Sequence, residues 1–229
     1  MSDLFDFDRF TKAVTQITPY LGITAHIVIV AIVFGSILGL IVAILRINNI
    51  PVVQQVLDVY ISFMRGTPMI IQLMLIYYAL PFVLRSTLGI DINGWENLTF
   101  VDVTFIINEG AFLGEIFRGA IQAVPYQQTE AGYSVGLNRF QTFTRIVLPQ
   151  AVRIALPAYG TDLIGIFHNT SIAFMIGVID IIGRAQSIKA ATGHALEAYI
   201  FIAIIYIVVS ALLKILFATL DKKLEYGRN

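Results

Sequence analysis

The feature that most constrains this chain is a series of long apolar runs that recur along almost its whole length, separated only by short polar segments. A helix crossing the hydrocarbon core of a bilayer needs about 20 mainly apolar residues. Five segments meet that length, at roughly 19–45, 56–84, 99–123, 151–177 and 195–220. Helix is the conformation expected of each, since unpaired backbone in lipid is costly and the alternation of a barrel strand is absent. The second, third and fourth runs contain charges and are less apolar than the first and fifth. Composition agrees: 57% of the residues are hydrophobic and 13% are charged, against about 25% charge in an ordinary soluble domain. The expectation is one all-α integral membrane domain over residues 1–229, with five transmembrane helices.

The chain has no cysteine, which excludes a disulfide framework and thiolate metal sites, and its formal net charge of zero gives a nucleic-acid partner no electrostatic footing. His26, His168 and His194 are scattered, so no metal site is expected. Residues 1–8 carry three aspartates and no basic segment, unlike a cleavable signal peptide, so targeting is expected from the first span. An odd number of spans puts the termini on opposite sides. With the N-terminus outside, the cytoplasmic side receives Arg46, Arg65, Arg118, Arg139, Arg145, Arg153, Lys214, Lys222, Lys223 and Arg228, and the outer side keeps Arg9, Lys12, Arg85, Arg184 and Lys189. That asymmetry follows the positive-inside rule, with Arg65 and Arg118 counting less because they fall within helices. Gly35 and Gly39, like Gly110 and Gly114, are small residues four apart that let helix backbones approach closely. Packing inside the bundle is the expected use of both pairs.

Between the third and fourth runs, residues 126–150 are too long for a minimal turn and too patterned for a tether. Residues 126–134 have helix-compatible composition, Gly136 permits the left-handed turn that ends a helix, and residues 139–147 read as a second short helix before Leu148-Pro149. The expectation is a cytoplasmic helix-turn-helix hook that docks on a soluble partner and passes its movement to the spanning helices. Periodicity by itself favours an amphipathic surface segment over such a docking element.

The residues of this hook resemble the "EAA" coupling loop of binding-protein-dependent ABC importers, a pattern of Glu-Ala-Ala, three residues, Gly, nine residues and Ile-x-Leu-Pro. Here the pattern is Glu130-Ala131-Gly132, then Gly136, then Ile146-Val147-Leu148-Pro149, with every spacing kept. Gly132 stands where the family has alanine, a change expected to loosen that turn of helix without removing the docking surface. The resemblance extends through nearly the whole chain. Phe63-Met64-Arg65-Gly66-Thr67-Pro68 followed by Gln72-Leu73 is similar to a signature of the polar amino acid permeases. So are Glu115-Ile116-Phe117-Arg118-Gly119, with Gly114 in place of alanine, and Thr170-Ser171 with Ile176-Gly177-Val178. At Tyr126-Gln127-Gln128 the family's Gly-Gln has become Gln-Gln.

What the resemblance implies is a type I ABC importer fold in a bacterial plasma membrane. The implied assembly has two copies of the permease, identical here by expectation, two ATPase subunits below them and an external substrate-binding protein. The chain has no Gly-x-x-x-x-Gly-Lys-Ser/Thr run to cradle phosphates, so ATP and Mg are expected on the partner ATPase and no cofactor on this chain. Glu130, Ala131, Gly132, Gly136, Ile146, Leu148 and Pro149 are then the expected ATPase-coupling residues. Residues 60–63, 171–174, 178–184 and 194–200 look most like the branch that transports cystine. Basic and other polar amino acids (arginine, lysine, histidine, glutamine) are the alternative substrates.

Charged side chains at membrane depth cost roughly 2.5 to 3.5 kcal/mol each on insertion scales, so they need a partner or a role. Glu115 and Arg118 are three apart on one helix face and are expected to form a structural ion pair. Glu109 has no basic residue within a turn and stands where the family carries a small or neutral residue. It reads either as a carboxylate that receives the ammonium of an amino acid, or as a buried acid that is protonated or hydrogen-bonded to a neighbouring helix. On the fourth run Asp162 and Asn169 share a face with Gly165 and are candidates to line a cavity. His168, next to them, stands where the family commonly has lysine. Thr170 and Ser171 complete the candidate substrate-binding set with Glu109, Asp162, Asn169 and His168.

Two other classes fit poorly. An intramembrane enzyme needs a nucleophile with its base, paired aspartates in motif context or a His-Glu-x-x-His helix, and none is present. A secondary transporter working without ATP predicts inverted repeats or paired broken helices, which five spans with an intact coupling loop do not match.

Overall fold

The computed structural model describes residues 5–226. Asp3 and Arg228, used above in the charge argument, lie outside the described residues. Among the described residues all regular structure is helical.

The chain starts with α1 (Phe7–Ile17), whose N-terminus is capped by Asp6 accepting from the backbone N–H of Asp8 and Arg9 at 2.8 and 3.2 Å. This amphipathic helix was not among the expected spans. It buries Ala13 and Ile17 against the last helices of the bundle, and a single turn at Thr18–Tyr20, opened by Pro19, joins it to α2 (Leu21–Ile47). Together they form one helical run, Phe7–Ile47, about 60 Å long and so twice the hydrocarbon thickness.

The second expected span, 56–84, is two helices. The helix α3 (Pro51–Gly66) stops where Thr67 and Pro68 adopt extended backbone, and α4 (Met69–Met74) begins beyond them. Proline disfavours the α region at the residue before it and has no N–H to continue the helix, so the helix is fully interrupted here. A π-type turn at Leu75–Ala79 then leads into α5 (Leu80–Leu88), which closes on left-handed Gly89.

The central helix is α6 (Asn97–Gln122), which runs through the core and packs most extensively on α2. The crossing is set by glycine. A Cβ on Gly35 would come within 2.5 Å of Glu109 Cβ, and one on Gly39 within 2.9 Å of the backbone N of Gly114. Both glycine pairs therefore serve packing within the bundle.

Two hook helices follow, α7 (Tyr126–Ser134) and α8 (Arg139–Thr142). Instead of ending before Pro149, the second passes through a π-type turn at Phe143–Val147 into α9 (Leu148–Asn169) and a tighter turn at Thr170–Ile176, giving one run from Arg139 to Ile176. Pro149 falls directly after the π-type turn, in the first turn of α9. Beyond left-handed Gly177, α10 (Ile181–Thr192), capped by Asp180, is bent by 47° from that run, and α11 (Leu196–Tyr226) follows. Length and hydropathy mark Phe7–Ile47, Met69–Leu88 and Leu196–Leu224 as able to cross a membrane, with the bent pair at Arg139–Ile176 and Ile181–Thr192 as a fourth.

Candidate functional site

The structure brings Glu109 of α6 and Asp162 of α9 together, with their carboxyl groups within hydrogen-bonding reach of one another. Glu109 is 3% exposed and pinned from behind by the close approach of Gly35. Its Oε2 and the Oδ2 of Asp162 are buried without any hydrogen-bond donor. No Arg, Lys or His makes an ion pair with either among the described residues. Two carboxyl groups at this range leave a place for one added positive charge, either a proton or an ammonium. This adjacency across two helices separated by the hook is invisible in the sequence.

Beside the pair, two buried amides support the broken helix. The Nε2 of Gln72 donates to the backbone carbonyls of Met64 and Thr67 at 2.8 and 3.1 Å and to Thr67 Oγ1 at 3.0 Å, while its Oε1 accepts from Asn108 Nδ2 at 2.8 Å. The carbonyls left open by the interruption are thereby satisfied. Gln72 drew notice in the sequence only as part of a signature, and nothing marked Asn108. From α3, Tyr60 donates to the carbonyl of Ile107 at 2.5 Å, and Arg65 lies over the ring of Phe112 at 5.5 Å, one turn along α6 from Glu109. Arg65 is exposed and makes no ion pair among the described residues.

The remaining candidates do not join Glu109. His168 is exposed and bonded to Ser210 of α11 at 2.9 Å, on another side of α9 from Asp162. Thr170 is fully buried and donates to the carbonyl of Phe167, and Ser171 donates to that of His168. Asn169 is exposed.

Glu115 and Arg118 are joined by two hydrogen bonds, at 2.7 and 3.1 Å, and the pair is the centre of a larger network. Arg46, at the end of α2, bonds Glu115 with one guanidinium nitrogen and Asp58 of α3 with another at 2.5 Å. Three helices are thereby tied at the hook end of the bundle. Arg46 and Asp58 had no sequence signal, since their partners lie on other helices.

The hook itself is compact. Gly136, at φ +81°, makes its turn, and Asn138 opens α8 with a reciprocal cap, accepting from the Gln141 N–H at 2.9 Å while its own N–H donates to Gln141 Oε1 at 3.0 Å. Gly132 is buried against Thr142 and Ile146, where a Cβ would meet Thr142 Cγ2 at 2.6 Å. The departure from alanine thus goes with a close approach of the two hook helices. Tyr133, Val135 and Phe140 project from the tip, 45%, 75% and 76% exposed, beside exposed Glu130 and Ala131. The capped protrusion thus carries exposed apolar side chains at its tip.

The family model for the binding-protein-dependent transport system inner membrane component matches residues 14–226. The chain belongs to that family. This permease is 39% identical to the L-cystine transport system permease protein TcyL of Bacillus subtilis, over 98% of this chain and 94% of that protein. It is 33% identical to the histidine/lysine/arginine/ornithine transport system permease protein HisM of Escherichia coli K12, over 88% and 86%. Among solved structures it matches a crystal structure described as an amino acid ABC transporter with histidines, at 30% identity and a TM-score of 0.83, covering 96% of this chain and 99% of that one. The fold is also that of the MetNI methionine ABC transporter in inward-facing form, at 17% identity and a TM-score of 0.73, covering 92% and 97%. The permease is therefore a membrane-embedded subunit of an amino acid ABC importer, with the type I importer fold and no enzyme activity of its own. Permeases of this family work with a separate ATPase and a substrate-binding protein.

Proposed function

We propose that the permease carries cystine through a path in which Glu109 and Asp162 receive an ammonium group of the cargo and Arg65 its carboxylate. The observation that carries this reading is the facing pair of carboxyl groups, with which no Arg, Lys or His among the described residues makes an ion pair. Arg65 supplies the opposite charge about one turn away, so the two ends of a zwitterion have complementary partners. Cystine is favoured by the 39% identity to TcyL. The two carboxyl groups also suit a basic amino acid, whose side chain adds a second cation, and this is the competing substrate class. Asn169, His168, Thr170 and Ser171 belong to the same stretch and act in shaping the path more than in holding the cargo.

The reading extends to the assembly. Five spans are α2, the α4–α5 helix, α6, α9 and α11 within one transmembrane domain. The hook end faces the cytoplasm and the N-terminus lies outside, as the distribution of Arg and Lys supports. Two identical copies pair, and each hook enters a groove of an ATPase that holds ATP and Mg. Glu130, Ala131, Gly132, Gly136, Ile146, Leu148 and Pro149 form or support that contact. Because α8 runs without a break into α9, a shift of the hook moves the helix that bears Asp162.

The test is binding-protein-stimulated ATPase activity of the complex in nanodiscs, with cystine, arginine, lysine, histidine and glutamine offered in turn. Stimulation by cystine that needs both Glu109 and Asp162 is the expected result. Stimulation by arginine or lysine alone would transfer the assignment to the basic class, and activity indifferent to Glu109→Gln and Asp162→Asn would remove both residues from the path.

A further inference from the structure

A cavity of about 410 Å³ lies away from the carboxyl pair, between the α4–α5 helix, the loop that follows Gly89 and the start of α6. It is near the small end of the range for ligand sites, about 300–1,000 Å³, and suits a molecule of amino acid size. Phe100, on its wall, precedes Glu109 by about 13 Å of helix rise, so the two places are distinct.

Its lining has two chemically different parts. On one side Tyr77, Tyr78, Trp95 and Phe100 form an aromatic wall. Tyr77 meets Tyr78 and Phe100 edge-on at 4.9 and 5.2 Å, and Trp95 lies 5.7 Å from Phe100. Aromatic rings lining a cavity are the side chains that attract an ammonium group through their faces. On the other side are Arg85 and Asn93. The only carboxylate near Arg85 among the described residues is Asp91, at a long 3.8 Å. Asp91 is engaged instead by Asn93, whose backbone N–H and side-chain amide donate to it at 2.9 and 2.6 Å. The guanidinium is thus left open to a second anion, and its planar fork matches a carboxylate or phosphate.

Aromatic residues at the ends of spanning helices are common as interfacial anchors, but here Tyr77, Tyr78, Trp95 and Phe100 line one open cleft together with a guanidinium that has no close carboxylate among the described residues. We propose that this cavity is a second ligand site, taking a small zwitterion with its ammonium against the aromatic wall and its anionic group on Arg85. That chemistry is shared by a free amino acid and by the headgroup of an ethanolamine phospholipid. It stands independently of the role given to Glu109 and Asp162.

Trp95 is the one tryptophan of the chain, so the difference in emission between the complex and its Trp95→Phe counterpart reports on the cavity. In phosphatidylglycerol nanodiscs without binding protein, a saturable change on titrating cystine or arginine, weakened at least tenfold in Arg85→Gln, identifies a solute ligand. A change between phosphatidylglycerol and phosphatidylethanolamine nanodiscs without added amino acid, again lost in Arg85→Gln, identifies a lipid headgroup. No difference in either arm, or one that survives both Arg85→Gln and Tyr78→Ala, overturns the proposal. Arg85 is largely exposed, and retained ATPase assembly checks that its variant folds.

Discussion

Gly132 of α7 and Thr142 of α8 meet so closely that a Cβ on the glycine would come within 2.6 Å of Thr142 Cγ2 and 2.9 Å of its Oγ1. Alanine at this position, the residue expected from the pattern, would force the hook helices apart. Overpacking of a close contact costs about 1–3 kcal/mol. Gly132→Ala should lower the melting temperature of the complex and weaken ATPase retention. Thr142→Ala removes both clashing atoms, so the double variant should regain stability. A double variant no better than Gly132→Ala would show that the helices are not limited by this contact.

Glu109→Gln and Asp162→Asn should each reduce uptake of the preferred substrate by about tenfold or more, the equivalent of about 1.4 kcal/mol, while assembly stays intact. Since the two groups act on one charge, their effects should fall short of additivity in the double variant. Initial uptake rates in proteoliposomes measure this. Two full, independent losses would mean that the carboxyl groups serve separate ends.

Gln72→Leu removes the donor that satisfies the carbonyls of Met64 and Thr67 and the acceptor of Asn108. Each buried group left open costs about 1–3 kcal/mol, so a clear drop in thermal stability is expected. Gln72→Glu keeps an acceptor for Asn108 and loses the donors, and it should also destabilise. Unchanged melting in both variants would show that the break at Thr67-Pro68 holds itself.

In the network at the hook end, Glu115 is 15% exposed at its side chain and Asp58 48%. Removing one partner of a buried ion pair costs about 3–5 kcal/mol, and an exposed one about 0–1 kcal/mol. Glu115→Ala should therefore destabilise far more than Asp58→Ala in a detergent melting assay. Equal effects would mean that water reaches Glu115 as freely as Asp58.

Inserting one alanine after Val152, within the regular helix of α9, should turn the part of α9 that bears Asp162 by about 100° relative to the hook. The variant should still bind the ATPase and lose substrate-stimulated hydrolysis. Normal stimulation would show that the phase between hook and α9 does not matter.

Much of the bundle could be read from the chain because lipid imposes a length on apolar runs, and the hook because its spacing survives intact around Glu130, Gly136 and Pro149. What could not be read has three physical origins. The amphipathic α1 has too mixed a face to register as a span, yet it packs firmly through Ala13 and Ile17. At Thr67-Pro68 the sequence signals a proline but not whether the backbone bends or opens, which depends on Gln72 satisfying the freed carbonyls. The partnership of Glu109 with Asp162, and of Arg46 with Glu115 and Asp58, is set by helix packing between distant segments. Single charges in a run announce a need for a partner without naming it.

The uninterrupted run from Arg139 to Ile176 makes the hook and Asp162 parts of one lever. Between Thr142 and Asp162 the rise is about 30 Å, and inside α9 Pro157 removes a backbone donor, with Thr161 Oγ1 bonded to its carbonyl at 3.0 Å. The shaft therefore has a compliant point just below the carboxylate it carries. In the coupling proposed above, a push on the hook would be delivered there as a tilt, and how stiff that joint is would set how much of each ATPase stroke reaches the cargo.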